Sequence, residues 1–548
     1  MSTERPSTVA PVCLVIRALL GLARRLSSVL LSILLAACGT PRLTPVPDFT
    51  GLPIIADAAD AWGDAADIEN FIAIQGGPFI VGLGYPGDDY VHQAWRDLTP
   101  GIGDFYLFGD SWIQVTRNDA GALDLNFAYF DGLVQGYHRD FLGTSRFYFN
   151  IFGMPRALSM RPDLEDAYMY YTPADYAEWY DIVYRAVQHI RNDLGMPGAS
   201  YMVWGEPETY YTWRGRDRRT GAETLYDYIE MYVNTWAAVK AADPDAKVGG
   251  PMTIAGSKAH VAHFGESWGM EDFLRALAEH NAAHPKLAVT LDEVVWQGYD
   301  WTGGLRLLTS AAQVRDLLAE NGFPSNTPQV VLGWTKQFIN HPAPCVQVSR
   351  QQFAAYIASN IAEQFGPPEG ARGVARAYLW PFDDDADCPN MSLISAPIPA
   401  RPASQQYGGY SQLPSYPAIT EYCRRPAYAV VEMLRRMSDA GGQFIRIEGA
   451  FDALPPSMMA TSNGQQVMAM LVNETDSERT FTLTFHNLPF AGDSIIAALQ
   501  VVDDTHSADC NGLEAGSRSR LPITGGRAEV TVRMMPYSVT LITLMRQR

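Results

Sequence analysis

Glu206 ends a short apolar run, Tyr201-Met202-Val203, within Trp204-Gly205-Glu206-Pro207, and the proline stops the strand directly after it. Aromatic rings crowd the next stretch, at Tyr210, Tyr211 and Trp213. A carboxylate beside flat apolar faces is suited to cutting a glycosidic bond. It can give a proton to the leaving oxygen while a sugar ring stacks on an aromatic face. Such a cut needs a second carboxyl group, about 5–5.5 Å away for retention of configuration or roughly 6.5–9.5 Å for inversion.

The elements that would position Glu206 are legible as alternating strands and helices. Apolar, β-leaning runs recur near 79–83, 105–109, 146–151, 200–205, 246–250, 292–297, 329–334 and 376–382, with helical stretches between them. Eight such strands predict a parallel (β/α)8 barrel, whose C-terminal rim carries the chemistry. One helix is plainly written: Thr172 can cap it, Pro173 suits its first turn and Asp175 favours its dipole. Trp179, Ile182, Val183, Ala186, Val187 and Ile190 then form one apolar stripe at helical spacing, and Gly195 ends it. After about residue 440 the texture becomes β-type, in Val467–Val472, Thr480–Phe485, Glu529–Val532 and Ser538–Leu544, which predicts a β-sandwich. The expected organisation is a signal segment over 1–37, a Pro-rich tether over 38–60, a barrel over 61–438 and a sandwich over 439–548.

Acidic groups at other strand ends are candidates for the second carboxylate. The eighth run closes on Trp380-Pro381-Phe382-Asp383-Asp384-Asp385, so Asp383 and Asp384 are the first candidates for a base, with Glu293 and Asp300 behind them. The same Asp run also reads as a solvated loop or a cation site. Trp213, Trp296, Tyr299, Trp301, Trp334 and Trp380, all near strand ends, are expected to line a sugar-binding groove; singly, each also reads as core.

The N-terminus carries Arg17, Arg24 and Arg25 before an apolar run from Leu26 to Ala37, too short to span a bilayer. It ends Leu35-Ala36-Ala37-Cys38-Gly39, which resembles a bacterial lipoprotein signal with Cys38 as the lipidated residue. This implies an exported protein anchored to a membrane of the cell envelope by lipid alone, at the outer membrane in a Gram-negative cell. The 548-residue chain carries a net charge of −19. Without residues 1–37 it keeps 37 basic and 59 acidic residues, a net charge of −22, which argues against nucleic acid as a partner. Cys345, Cys388, Cys423 and Cys510 then remain and allow two disulfides in three pairings, of which Cys345–Cys388 is favoured because both would lie in rim loops. No CxxC spacing asks for zinc, and no metal or organic cofactor is implied.

The chain resembles glycoside hydrolase family thirty-nine, the β-xylosidases and α-L-iduronidases. The residues that carry the likeness are Phe127-Ala128-Tyr129-Phe130-Asp131, Gly153-Met154-Pro155-Arg156, Trp204-Gly205-Glu206-Pro207, Val248-Gly249-Gly250-Pro251, Arg425-Pro426-Ala427-Tyr428 and Pro536-Tyr537-Ser538-Val539. The resemblance implies a barrel with a C-terminal sandwich, a carbohydrate substrate, and Glu206 as acid. It also implies departures: Gly205 replaces an asparagine, Gln297 a histidine and Asn150 a glutamate. Tyr106 and Phe108 stand for the strand-two Arg and His. In Pro328-Gln329-Val330-Val331-Leu332-Gly333-Trp334, Gly333 stands where the family's nucleophilic glutamate belongs. Three readings stay open. A water in the space at Gly333 could let an inverting enzyme work. The barrel could bind carbohydrate without turnover, in which case Gly333→Glu is expected to restore a retaining site. Or it could serve as a scaffold for protein contacts in polysaccharide assembly.

Overall fold

The apolar runs close into a barrel because both faces of each strand are covered, the inner by neighbouring strands and the outer by helices. The computed structural model describes residues 54–75, 88–98, 101–108, 112–140, 147–165, 167–210, 212–216, 221–254, 268–299, 306–336, 348–365, 373–380, 392–395, 422–449, 457–507, 510 and 512–546. Gly51–Arg548 form one compact unit. Barrel strands one to eight are Ala73–Gln75, Gly101–Tyr106, Phe147–Ile151, Ser200–Val203, Lys247–Thr253, Glu293–Tyr299, Gln329–Thr335 and Arg376–Leu379. All pair in parallel, and the eighth closes on the first through Leu379 and Ile74.

Side chains alternate across this wall. Ala73, Tyr148, Met202, Val295, Val330, Leu332 and Tyr378 fill the interior, while Phe147, Phe149, Tyr201, Val294, Trp296 and Val331 face the helices. The expected strands coincide with the observed ones for strands three to eight. Strand two starts earlier than expected, at Gly101, because its glycines hide it. A Cβ at Gly103 would lie 2.5 Å from Leu332 Cδ2 and 2.6 Å from Tyr378 Cδ1, so the barrel interior admits only glycine there. Strand one is Ala73–Gln75; the run expected at 79–83 lies outside the described residues.

The helix before strand four is Tyr176–Asn192, and all six residues of the expected stripe are buried. Its cap is Asp175, not Thr172: Asp175 is extended and its carboxylate accepts from the Ala177 N–H at 2.7 Å.

Nine strands form the second sheet, mostly antiparallel. Its outermost groups fold over each other, so that Phe481, Leu483, Phe485, Val530 and Val532 share a core with Val467, Ala469, Leu471, Ile542 and Leu544. Ile54–Asp64 is one of these strands. It pairs antiparallel with Gln443–Glu448 and parallel with Arg479–His486. Residues 54–60, expected in the tether, are therefore strand; the alternation Ile54, Ala56 inward supplies the apolar face. Cys423 and Cys510 form a disulfide, which ties the approach to helix Pro426–Ala440 to the C-terminal sheet. Cys345 and Cys388, the remaining pair, lie outside the described residues, as does Cys38. No helix among the described residues is long and apolar enough to cross a membrane.

Candidate active site

Three barrel strands slip register near their C-terminal ends, and each slip contains a residue with left-handed backbone. Strand two slips between Ile102 and Phe105, around Asp104 at φ +58°. Strand five slips between Pro251 and Thr253, around Met252 at φ +55°. Strand seven slips between Leu332 and Trp334, around Gly333 at φ +79°. A bulge re-aims the side chains that follow it. Beyond Gly333 the Trp334 ring lies in the outer core, 6.0 Å from Tyr356 of helix Arg350–Phe365.

Glu206 follows strand four in a turn that is itself left-handed, with Trp204 at φ +68° and Glu206 at φ +49°. Strain of this kind persists only where surrounding bonds over-determine it. Here the Glu206 N–H donates to Met252 O at 3.1 Å, and its carbonyl accepts from the Thr209 N–H at 2.9 Å and the Thr212 hydroxyl at 2.5 Å. The Trp204 indole N–H donates to Thr212 O at 2.7 Å and closes the turn. The carboxylate accepts from Gln297 Nε2 at 2.9 Å. Burial raises its pKa above the ordinary glutamate value; the Asp104 charge adds to the rise and the Gln297 hydrogen bond opposes it.

Asp104 is the residue that sequence reasoning missed. It is 7% exposed, and its carboxylate accepts from Asn150 Nδ2 at 2.6 Å, Gln75 Nε2 at 3.1 Å and the Tyr106 hydroxyl at 3.3 Å. Burial raises its pKa despite these three donors. The Tyr106 phenol is pushed well up, first by burial and then by the charges of Asp104 and Glu206. The only sequence signal was an aspartate flanked by glycine and aromatics in Gly101-Ile102-Gly103-Asp104-Phe105-Tyr106, where glycine inside a strand marks a bulge.

The space at Gly333 is filled. A Cβ there would lie 2.0 Å from Gln75 Oε1 and 2.7 Å from the Tyr299 hydroxyl. Gln75 Oε1 also accepts from that hydroxyl at 3.3 Å. The water expected at Gly333 is thus displaced by the Gln75 amide, which reaches from strand one across to Asp104.

Other expected residues divide clearly. Gln297 and Asn150 both join the site, and each leaves one buried amide oxygen, Oε1 and Oδ1 respectively, without a partner among the described residues. Tyr299 and Trp380 pack edge to face at 6.1 Å, with Trp380 partly exposed at the strand-eight end. Trp213, Trp296 and Trp334 are corrected to core: they are 1%, 0% and 0% exposed and offer no face to a sugar. Trp213 instead packs edge-on against Trp204, and its N–H donates to Thr224 O. Glu293 is also removed from the rim. It starts strand six at the opposite barrel end, bonded to the Tyr148 hydroxyl at 2.9 Å and ion-paired with Arg376. Asp383, Asp384, Asp300, Trp301 and Tyr211 lie outside the described residues. Among the described residues no group of three or more His, Cys, Asp and Glu side chains could hold a metal ion.

The sequence matches no protein-family model. The fold is similar to that of solved glycoside hydrolases over most of the chain. A monomeric β-xylosidase from Caulobacter crescentus CB15 superimposes with a TM-score of 0.64 at 16% identity, covering 90% of this chain and 100% of the other. A family thirty-nine enzyme from Xanthomonas axonopodis pv. citri gives 0.63 at 18% identity, covering 90% and 97%. The bacterial orthologue of human α-L-iduronidase gives 0.61 at 12% identity, covering 90% and 84%. At these identities the likeness establishes a glycoside hydrolase-like fold, a barrel followed by a β domain.

Proposed function

We propose that this chain is a glycoside hydrolase that cleaves O-glycosidic bonds of an oligo- or polysaccharide, with Glu206 as the general acid. The observation that carries the reading is the state of Glu206. It stands at the barrel rim, held by a strained turn, with its pKa raised by burial. A carboxyl group that keeps its proton above the ordinary range is what protonation of a leaving oxygen requires. The partnerless oxygens of Gln297 and Asn150 are suited to accept hydrogen bonds from sugar hydroxyls beside it. The fold neighbours, a β-xylosidase, a glucosidase and an iduronidase orthologue by name, support a carbohydrate ligand. We further propose that the chain is exported and anchored to the bacterial envelope through a lipid on Cys38, and acts on a surface or self-made polysaccharide.

The test is Glu206→Gln assayed on phenyl β-xylosides, β-glucosides and α-L-iduronides. Loss of a general acid lowers turnover by about 10²–10⁴-fold. Turnover equal to that of the native protein would remove Glu206 from the chemistry. Labelled palmitate should enter the native chain and not Cys38→Ser; equal labelling would reject the anchor. A second reading, carbohydrate binding without turnover, is favoured by one observation. Strand seven has no carboxylate at Gly333 and the Gln75 amide fills its place. That reading requires native protein that binds oligosaccharide and hydrolyses none of the panel.

A further inference from the structure

We propose that Asp104 is the second catalytic carboxylate, a general base that activates the water attacking the anomeric carbon, so that hydrolysis inverts configuration. This rests on the glycosidase reading with Glu206 as acid.

The first support is placement. Asp104 is set into the site by the strand-two bulge, in the same left-handed conformation that Gly333 takes in the strand-seven bulge. For a residue with a Cβ this backbone is strained. Asn150 places it beside the turn that carries the acid. Its Nδ2 lies 2.6 Å from Asp104 and 3.6 Å from where a Cβ of Gly205, the neighbour of Glu206, would stand.

The second support is the absence of a structural reason for the charge. Buried carboxylates are ordinarily matched by a cation. Among the described residues Asp104 makes no ion pair; two amides and a phenol hold it. Glu293, buried in the same barrel, shows the ordinary solution with Arg376 and Tyr148. Asp104 is therefore a carboxylate kept available.

The third support assigns the two roles. The Asp104 charge helps to raise the Glu206 pKa, so an ionised Asp104 favours the protonated form of Glu206. Asp104 receives three hydrogen bonds that favour its ionised form, and Glu206 receives one. On this difference in hydrogen bonding Asp104 is assigned as the base and Glu206 as the holder of the proton. An ionised carboxylate has about four acceptor sites. Three are taken, which leaves one for the nucleophilic water.

Gln75 completes the arrangement as a positioning residue. Its Oε1 occupies the space a side chain at 333 would enter, and its Nε2 steadies Asp104. In the reaction Asp104 takes a proton from water as the water oxygen bonds to the anomeric carbon. The bond from that carbon to the leaving oxygen breaks, and the leaving oxygen takes the Glu206 proton. Exchange with solvent then returns both carboxyls to their starting states.

The test uses the full chain with phenyl and 2,4-dinitrophenyl glycosides of the same three sugars. Proton NMR of the first product reports its anomer, and no variant is needed for that measurement. Inversion is expected. Asp104→Asn should lower turnover by about 10²–10⁴-fold on both leaving groups, because attack is impaired whatever leaves. Glu206→Gln should fail mainly on the phenyl glycosides, since dinitrophenolate needs no proton. A retained anomer overturns the base role and leaves Glu206 standing. So does Asp104→Asn, folded by its native melting profile, with turnover within threefold of native while Glu206→Gln is inactive on phenyl glycosides. Native protein that turns over no member of the panel overturns both this inference and the glycosidase reading.

Discussion

Substituting Gly333 probes the link between the missing strand-seven carboxylate and the Gln75 amide. Gly333→Ala places a Cβ on left-handed backbone, which costs about 1–2 kcal/mol by itself. That Cβ would lie 2.0 Å from Gln75 Oε1, so the amide must leave. Gln75 then loses its bonds to the Tyr299 hydroxyl and to Asp104, each worth about 0.5–1.5 kcal/mol. Together these give a destabilisation of about 2–5 kcal/mol. In a Gln75→Ala background the collision is gone, and the same substitution should cost only about 1–2 kcal/mol, the backbone part. Guanidinium unfolding followed by tryptophan fluorescence is the assay. Every tryptophan except Trp62 lies between residues 95 and 380, so the signal reports the barrel. An additive cycle, or Gly333→Ala as stable as the native chain, would refute the claim that Gln75 fills this space. One consequence reverses the expectation from sequence alone. Gly333→Glu should regain little retaining activity while the Gln75 amide competes for the same space, and more in a Gln75→Ala background.

Glu206→Gln should stabilise the protein near neutral pH. The native group has a pKa raised above 4.5, so between 4.5 and that raised value the folded state binds more protons than the unfolded one. Its contribution is full below 4.5 and is lost as pH rises through the folded pKa. Melting temperatures of the variant and native chains should therefore converge below pH 4.5 and separate above it, with the variant higher; a constant gap would contradict the burial argument. The same shift sets the alkaline limb of kcat/KM above the ordinary glutamate range, because the acid must be protonated to act. At the other barrel end, Arg376→Ala leaves buried Glu293 with only the exposed Lys247 ammonium, 3.9 Å away, as a cation and should destabilise by about 3–5 kcal/mol in the same unfolding assay. Loss of less than about 1 kcal/mol would mean that Tyr148 and Lys247 satisfy Glu293 without Arg376.

Much of the fold was readable because its signals are periodic. The stripe from Trp179 to Ile190 is buried as its 3.6-residue spacing requires, and strands three to eight are apolar runs covered on both faces. Strand one was not readable, since Ala73–Gln75 offers three residues and one β-branched side chain. Residues 54–60 read as tether because the partners of strand Ile54–Asp64 lie about four hundred residues away, at Gln443–Glu448 and Arg479–His486. The aromatic groove was over-read for a related reason. Trp213, Trp296 and Trp334 sit near strand ends in sequence, but the side of the wall each faces depends on local backbone. Glu206 was legible because Pro207 marks the strand end beside it.

Asp104 was illegible because a bulge breaks the rule by which inward positions are counted. In a regular strand, alternation from Ile102 would assign Asp104 to the face of Ile102, which belongs to the outer core. The slip between Ile102 and Phe105 cancels that count, and the carboxylate meets Gln75 and Asn150 from the neighbouring strands instead. Gly333 is the mirror case. Reading strand seven in sequence reveals a missing carboxylate but not the amide that replaces it, since Gln75 is more than two hundred and fifty residues away. The two bulges share a backbone conformation and differ in what they carry, an aspartate on strand two and no side chain on strand seven. Gln75 touches both. A change at Gly333 therefore acts on Asp104 through Gln75. The bare backbone on strand seven and the carboxylate on strand two thus belong to one connected site, and the proposed inverting chemistry follows from where that charge stands.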